Sequence, residues 1–413
     1  MRILSGRAAA ARVRKLAGRG SQFDKVEPVV RRIIADVRRR GDRALRKYAK
    51  LWDGLRPDAS LLVSQEEMLA AWKAASPKLK ASLRTAAANV RRFCESQKPV
   101  EWTCTRSGIT VGQLVRPLES VGCYVPGGRY PLVSTLLMTV IPAQVAGVQR
   151  ICVVSPQPRP EVLAAAVTLG VREVYRIGGA QAIAALAYGT ASVPRVYKIV
   201  GPGNLYVTAA KKLVAFDCAI DFLAGPTEVT IVSDTGTPEF IAADLVAQAE
   251  HDPEALAVFI TTRDDLAREV KRAAEKLSRH NEVAQQSLRR SGVILVASSR
   301  RQSFEWANEL AAEHSTVDAA DVALVRNAGS VFVGDYSPPA AGDYASGPNH
   351  VLPTGGVARF RGGLSVLDFV KLISIQKLTR PGLKRIASVI ESLADTEGLR
   401  AHAESIRIRC GHA

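Results

Sequence analysis

The 413-residue sequence has few cysteines, few aromatic residues and no long apolar run. Its six cysteines are scattered and none forms a Cys-x-x-Cys pair, which argues against a disulfide scaffold and against a thiolate zinc site. No apolar stretch reaches the roughly 18 residues that a membrane span needs. We therefore expect a soluble protein of the cytoplasm that has no membrane partner.

Aromatic residues make up only 6%, and no zinc-finger, ribonucleoprotein or basic-zipper pattern is present. The formal charge of +17 is dispersed along the chain, so we interpret it as a solvated basic surface without a specific nucleic-acid partner. Six basic residues and no acidic residue precede Asp24, a composition that a transit peptide shares. Because the helical pattern continues without a small-residue cleavage site, residues 1–20 are predicted to form a helical arm.

From about residue 119, short β-branched runs alternate with glycine turns and alanine-rich helices. This repeat is typical of crossover connections in parallel sheets, where ligands bind at the carboxyl ends of the strands. We predict an α/β fold with two Rossmann-like lobes, parallel sheets, and helical amino- and carboxyl-terminal segments. The strands are predicted at 151–155, 173–177, 196–200, 228–234, 255–262 and 292–298.

The six histidines are rare enough for their surroundings to be informative. Gln248 and His251 lie three residues apart on one face of a predicted helix end, which is either a metal site or simply a polar helix terminus. Asp343 and His350 lie in a loop shaped by glycine and proline, which an Asx turn with a surface histidine would also explain. The adjacent pair at 313–314 follows a predicted helix and has the same plain alternative, a polar helix end.

Nine ordered motifs support a more specific interpretation. Together they resemble the histidinol dehydrogenase family over residues ~30–405, a far more specific match than a lone glycine pattern. The motifs are YVPGGRYPLVSTLLMTVIPAQVAGV (124–148), GGAQAIAALAYGT (178–190), GPGN (201–204), AGPTEV (224–229), LVAQAEHDP (245–253), AEH (312–314), GSVFVGDYSP (329–338), GDYASGPNHVLPTGG (342–356) and EGLRAH (397–402).

The resemblance implies an NAD-dependent, four-electron oxidation of L-histidinol through L-histidinaldehyde to L-histidine, the last steps of histidine biosynthesis. It implies one Zn²⁺ per subunit, with Gln248, His251, Asp343 and His402 as ligands. Glu313 and His314 would be the catalytic acid–base pair. The implied NAD contacts are Tyr124, Gln181 and Asn204, and the implied substrate contacts are Thr227, Gln248, His251, His314, Asp343, His350, Glu397 and His402.

The resemblance also implies a homodimer in which the tail, residues 366–413, crosses to the partner, so that Glu397 and His402 serve the partner's active site. Residues 21–123 together with 229–365 would form the first lobe, with the zinc and the catalytic pair. Residues 124–228 would form the second lobe, which contacts NAD. The substrate's imidazole and amine are good zinc ligands, and a carboxylate such as Glu313 suits the activation of water for the aldehyde step.

Three positions depart from the family pattern. Thr227 stands where serine is frequent, Ala312 where a proline usually precedes the Glu-His pair, and Arg129 where small residues are common. The first alternative is therefore a sister zinc- and NAD-dependent dehydrogenase that acts on another small alcohol, such as a sulfonated one. The second is a basic nucleic-acid-binding protein with a degenerate enzyme fold. The intact Gln-His-Asp-His set and Glu397 favour the amino-imidazole substrate over both.

Overall fold

The computed structural model describes residues 1–19, 23–56, 58–127 and 131–411, which contain fourteen β-strands and sixteen α-helices. The strands are β1 (Arg2–Ser5), β2 (Trp102–Arg106), β3 (Ile109–Pro117), β4 (Ser120–Tyr124), β5 (Arg150–Val154), β6 (Glu173–Tyr175), β7 (Lys198–Val200), β8 (Ala219–Ile220), β9 (Glu228–Val232), β10 (Leu256–Thr261), β11 (Val293–Val296), β12 (His314–Val317), β13 (Ser330–Val333) and β14 (Val370–Leu378).

The helices cover the sheets and form the tail. They are α1 (Gly6–Ala17), α2 (Glu27–Arg40), α3 (Asp42–Trp52), α4 (Gln65–Ala74), α5 (Pro77–Gln97), α6 (Val133–Ala146), α7 (Pro160–Thr168), α8 (Gly179–Tyr188), α9 (Leu205–Val214), α10 (Pro238–Ala249), α11 (Asp264–Leu277), α12 (Glu282–Arg290), α13 (Arg300–Leu310), α14 (Pro339–Tyr344), α15 (Arg380–Thr396) and α16 (Arg400–Cys410). In the described ranges, no helix is long and apolar enough to cross a membrane.

Two parallel sheets form the centre of the fold, which confirms the predicted α/β class. The six-stranded sheet has the order β1-β11-β10-β9-β12-β13, and all its pairs are parallel. Every residue of β9 and β10 is buried, because helices cover both faces of the sheet. All six strands predicted from β-branched runs are present, with ends that differ by a few residues.

The five-stranded sheet has the order β6-β5-β4-β7-β8 and is also parallel. The chain goes from β4 to β5 on one side and later returns to β7 on the other side of β4. A crevice forms where the strand order reverses in this way, outside the carboxyl ends of β4 and β7. The chain enters this sheet at Ser120 and leaves it for the six-stranded sheet at Glu228.

The terminal segments differ from the predicted helices. Arg2–Ser5, which the sequence analysis predicted to be part of a helical arm, is an edge strand of the six-stranded sheet and pairs with β11. Val370–Leu378, placed in a helical tail, is a strand in an antiparallel sheet with β3 and β2. Both strands depend on pairing with distant parts of the chain, which a local pattern does not show.

The helices near the amino terminus also pack differently from the predicted lobe division. The apolar face of α2, with Val30, Ile33, Ile34 and Val37, lies in one core with α8 and α9. The opposite face of α2 is basic and exposed, as its helical spacing predicts. Helices α2 and α3 therefore pack in the core of the five-stranded sheet, whereas the sequence analysis grouped residues 21–123 with the zinc-bearing lobe.

Candidate active site

Glu313 and His314 lie side by side at the amino end of β12. Helix α13 ends at Leu310, and Ala311 then takes a left-handed backbone conformation that turns the chain into the strand. His314 pairs in the sheet with Val229 of β9, the neighbouring strand. Both side chains are buried, at 8% and 3% exposure, so the structure makes this pair part of the interior and excludes the surface helix end.

The Glu313 carboxylate is held by the turn that leads into β9. Its Oε2 accepts a hydrogen bond from the Glu228 amide at 2.9 Å and another from the Thr227 hydroxyl. The same hydroxyl accepts from the side-chain amide of Gln248. Burial raises the pKa of Glu313 to about 7, although His314 and these hydrogen bonds oppose the shift. A carboxyl with such a pKa can both accept and release a proton near neutrality.

The two ring nitrogens of His314 have different surroundings. Nδ1 lies 3.1 Å from the Glu228 carbonyl oxygen. Nε2 is buried without a hydrogen-bonding partner, and Asp343 Oδ1 lies 3.4 Å from it. Burial lowers the pKa of His314, but the charges of Glu313 and Asp343 outweigh it and raise the pKa to about 9. When the ring is neutral, the Glu228 carbonyl favours the tautomer that carries its proton on Nδ1, which leaves Nε2 as the acceptor.

Asp343 and His350 approach His314 from a separate segment, α14 and the loop that follows it. His350 Nδ1 lies 2.7 Å from the Asp343 carbonyl oxygen, and its Nε2 lies 3.5 Å from Thr135 Oγ1 on α6. Burial raises the pKa of the Asp343 carboxyl, but His314, His350 and His251 outweigh it and the net pKa is lowered. Asp343 is therefore an ionised carboxylate surrounded by imidazoles.

Three of the four predicted zinc ligands lie in this region. Gln248 is buried in the last turn of α10, which packs against the helix of Asp343. His251 follows that turn, is exposed, and acts on Asp343 electrostatically. Across the described residues, no three His, Cys, Asp or Glu side chains of this single chain converge on a metal-sized site. An amide, an imidazole and a carboxylate lie instead at or near the ends of two helices that pack on each other, α10 and α14.

Glu397 and His402 are not brought to this site by their own chain. Both are exposed, at the end of α15 and in the first turn of α16. Those two helices pack on each other, and Thr379, just before α15, hydrogen-bonds to Gly108 of the β2–β3 hairpin. Arg129, the third departure from the family pattern, lies outside the described residues.

A separate cavity of about 540 Å³ lies at the crevice of the five-stranded sheet. Tyr124, Gln181 and Asn204, which come from three segments, all line it. The amino ends of α8 and α9 meet there, and helix amino ends stabilise phosphate groups through free amides and the helix dipole. The cavity has the position and the lining of a dinucleotide site at a topological switch point.

Asp53 lines this cavity too, although no sequence pattern pointed to it. Its Oδ2 accepts from the Gly178 amide at 3.0 Å and from Gln181 Nε2 at 3.1 Å. The amide of Gln181 is thereby oriented, and its Oε1 is buried without a partner. Tyr124 accepts from the Gly179 amide at 3.1 Å. An unpaired, buried amide oxygen beside a cavity indicates a donor on the ligand that fills the cavity.

The loop before Asn204 is built around Gly201. Gly201 has φ +111°, and a β-carbon there would collide with the carbonyl oxygen of Tyr124. Its amide donates to Asp221 at 2.8 Å and its carbonyl accepts from Lys211 at 2.9 Å, while those two buried side chains form an ion pair. Asn204 then caps α9 by accepting from the amides of Tyr206 and Val207. The glycine motif predicted the loop, but not the buried ion pair that holds it.

Two parallel lobes, a cavity suited to a dinucleotide and a buried carboxyl–imidazole pair define a nucleotide-dependent enzyme that moves protons. Comparison with known proteins agrees. The family model described as histidinol dehydrogenase matches residues 17–410. Histidinol dehydrogenase of Methanothermobacter thermautotrophicus is 47% identical over 400 residues, covering 94% of each chain. That of Geobacter sulfurreducens is 46% identical over 411 residues, covering 95% of this chain and 96% of its own.

A solved structure extends the match to three dimensions. The histidinol dehydrogenase of Elizabethkingia anophelis superimposes with a TM-score of 0.94 at 35% identity, covering 99% of this chain and 98% of that one. The chain belongs to the histidinol dehydrogenase family, whose members are NAD-dependent oxidoreductases of histidine biosynthesis. The family and fold predictions are confirmed, and the sister-enzyme alternative is not favoured.

Proposed function

We propose that this protein oxidises L-histidinol to L-histidine in two NAD-dependent steps, through L-histidinaldehyde, as a cytoplasmic biosynthetic enzyme. The observation that carries the proposal is the buried Glu313–His314 pair, tied on one side to Thr227 and Gln248 and facing Asp343 on the other. This single network contains two proton-transfer groups and three of the residues that the family resemblance assigns to metal and substrate. Such a network suits a reaction with two proton-coupled oxidations.

The residues present fit a zinc ion. Gln248, His251 and Asp343 would contribute an amide oxygen, an imidazole nitrogen and a carboxylate oxygen, and His402 of the partner subunit would complete the set. The lowered pKa keeps the Asp343 carboxyl ionised, as a metal ligand must be. Zinc, when bound, would orient the imidazole and amine of the substrate. A cation bound to Asp343 would offset its negative charge, so Asp343 would raise the pKa of His314 by a smaller amount. This favours the neutral imidazole.

In the first step, His314 takes the proton of the substrate hydroxyl on Nε2. The Glu228 carbonyl holds Nδ1–H, so the acceptor lone pair is on the nitrogen that has no partner in this structure. NAD, when bound, would supply the hydride acceptor for both oxidations. His350 is held by the Asp343 carbonyl and lies near Thr135, and we assign it to orienting the substrate hydroxyl.

In the second step, Glu313 takes a proton from the water that adds to the aldehyde. Its pKa of about 7 lets a large fraction be ionised at neutral pH while keeping it a better base than an ordinary carboxylate. Thr227 and the Glu228 amide hold Oε2, which leaves Oε1 as the oxygen for the water. We assign cofactor binding to Tyr124, Gln181 and Asn204 because they line one cavity at the switch point.

We further propose a homodimer whose tails are exchanged. Within the described chain, Glu397 and His402 are exposed, and their side chains form no hydrogen bond or ion pair with the site that they are expected to serve. The tail and its sheet also expose apolar side chains, a feature of surfaces that are covered in an assembly. They include Leu372, Ile373, Val389, Leu393 and Ile408. A second copy supplying its tail would cover this surface and complete both sites.

The decisive experiment is NADH release with L-histidinol, with histidine quantified in the same reaction. Two NADH per histidine, without free aldehyde, is the expected result. An anionic diol used with a higher kcat/KM than L-histidinol would instead select the sister-enzyme reaction and overturn the proposed substrate.

A further inference from the structure

Arg19 and Glu228 form a largely buried ion pair next to the acid–base pair. Nε and Nη2 of Arg19 donate to Oε1 and Oε2 of Glu228, both at 2.6 Å. The Glu228 side chain is 3% exposed and that of Arg19 is 19% exposed. Arg19 also donates to the carbonyl oxygens of Leu16 at 2.6 Å and Leu310 at 3.0 Å. A bidentate guanidinium–carboxylate pair of this kind fixes geometry as well as charge.

The backbone of Glu228 is what orients both catalytic side chains. Its amide donates to the Glu313 carboxylate at 2.9 Å, and its carbonyl oxygen lies 3.1 Å from Nδ1 of His314. A rotation of this residue would move the two contacts together. The position of the pair therefore depends on how rigidly Glu228 is held.

The same carboxylate also holds the loop that follows His350. Oε1 of Glu228 accepts from the Gly355 amide at 2.9 Å. One residue earlier, the Thr354 hydroxyl accepts from the Gly225 amide at 2.5 Å, close to Thr227. Glu228 thus joins three parts of the site: the turn of Thr227, the acid–base pair and the loop of His350.

We propose that Arg19 is a positioning residue for the acid–base pair and acts through Glu228. Arg19 lies just beyond α1, about 200 residues before the turn it holds, so the amino-terminal segment is part of the active-site framework. Without the guanidinium, a buried carboxylate loses its partner and turns toward water or other donors. The Glu228 backbone then shifts, and with it the hydrogen bonds to Glu313 and His314. The proposal rests on the proposed function.

The test compares kcat and KM of three variants with L-histidinol and NAD. Arg19→Met keeps an unbranched, flexible side chain but removes the charge and the fork; we expect kcat to fall by 10-fold or more, with both KM values within threefold of the native enzyme. Arg19→Lys keeps the charge without the bidentate geometry, and we expect a kcat between the two. Arg12→Met is the matched control, because Arg12 lies in the preceding helix, is partly buried and donates to the Ser291 carbonyl. It should lower the melting temperature without changing kcat.

The double variant Arg19→Met/Glu228→Gln distinguishes a positioning role of Arg19 from a purely structural one. Removing both charges should restore most of the melting temperature lost in Arg19→Met, while kcat stays low because the fork remains absent. If Arg19→Met does not fold, this double variant and Arg19→Lys carry the test. Unchanged kcat in folded Arg19→Met, or full recovery of kcat in the double variant, overturns the positioning role. Absence of L-histidinol oxidation by the native enzyme would instead overturn the proposed function.

Discussion

Asp343 Oδ1 lies 3.4 Å from Nε2 of His314, so the residue proposed to bind metal faces the residue proposed to take the proton. The two come from different segments and are brought together only by the fold. Because Asp343 is one of the two charges that raise the pKa of His314, whatever binds Asp343 also changes the proton affinity of the base. If Asp343 binds the metal as proposed, metal occupancy and proton transfer are linked in this site.

Metal dependence is the first expectation from this link. Chelation should abolish turnover, and zinc or manganese should restore it. His251→Asn should weaken metal binding by well over ~10-fold, since a direct ligand is worth more than an outer partner. Equilibrium dialysis with metal analysis measures the affinity. His280→Asn, which changes a histidine outside the site, is the control, and full activity in protein verified to be metal-free would refute the zinc assignment.

Glu313 and His314 should contribute differently to the two oxidations. We expect Glu313→Gln to slow the aldehyde step by about 100-fold, the usual contribution of a general base, and the alcohol step much less. His314→Asn should slow both steps, because it removes the group that takes the hydroxyl proton. Separate assays with L-histidinol and with L-histidinaldehyde measure each step. An equal loss in both steps for Glu313→Gln would contradict the division.

Thr227 can be tested with a pair of matched substitutions. Its hydroxyl donates to Glu313 and accepts from Gln248. Thr227→Ser keeps the hydroxyl and should retain activity within about threefold. Thr227→Val keeps the shape but leaves the Gln248 amide without its acceptor, at a cost of about 1–3 kcal/mol, and removes one of the two hydrogen bonds to Glu313; it should lower kcat by at least ~10-fold. Steady-state kinetics and melting temperatures decide it; similar activity of the two variants would show that the hydroxyl is not needed.

The role of the loop before Asn204 in cofactor binding can be tested by substituting Gly201. Gly201→Ala should raise the KM for NAD by about 10-fold, because the new methyl collides with the Tyr124 carbonyl and strains a positive φ by about 1–3 kcal/mol. Gly170→Ala is the control, since Gly170 has φ +68° but no atom within 4 Å of the methyl that alanine would add. It should cost about 1 kcal/mol of stability and leave the KM unchanged. Equal KM values for NAD in the two variants would show that this loop does not contribute to NAD binding.

The exchanged tail predicts complementation between two inactive variants. His402→Asn is defective in the tail and His314→Asn in the body, so each homodimer should be inactive. Co-expression should give about half heterodimers, each with one intact site, so roughly one site in four recovers. Purification through two different tags followed by an NADH assay measures this. A confirmed heterodimer without activity would show that each tail serves its own subunit.

The parts of the fold that follow from local pattern could be predicted. Short β-branched runs, glycine turns and alanine-rich helices located six of the eleven strands of the two parallel sheets, three in each, because each of these elements is specified within a few residues. The strand Arg2–Ser5 was predicted as helix, since its partner β11 lies nearly three hundred residues away. Val370–Leu378 was missed for the same reason, as its pairing with β3 spans a comparable distance.

The candidate site divides in the same way. Motifs marked Glu313, Asp343 and Gln181, but spacing alone could not bring their segments together. No motif marked the residues that hold these side chains in place. Asp53 accepts a hydrogen bond from Gln181, and Arg19 donates to Glu228, but neither residue has distinguishing neighbours in the sequence. Their roles depend on burial and on hydrogen-bond direction, which exist only once distant segments have packed.

The edge strand Arg2–Ser5 has a consequence for synthesis on the ribosome. Among the strands that the structure describes, it pairs with β11 alone, at Val293–Val296. At a translation rate of about 5–20 residues per second, strand β1 waits roughly 15 to 60 s for its partner to emerge. The five-stranded sheet, Ser120 to Ile220, is complete well before then. Nascent chains arrested once Ile220 has left the ribosome, but before β11 has emerged, should therefore protect that sheet from protease while the amino-terminal strand is still cut.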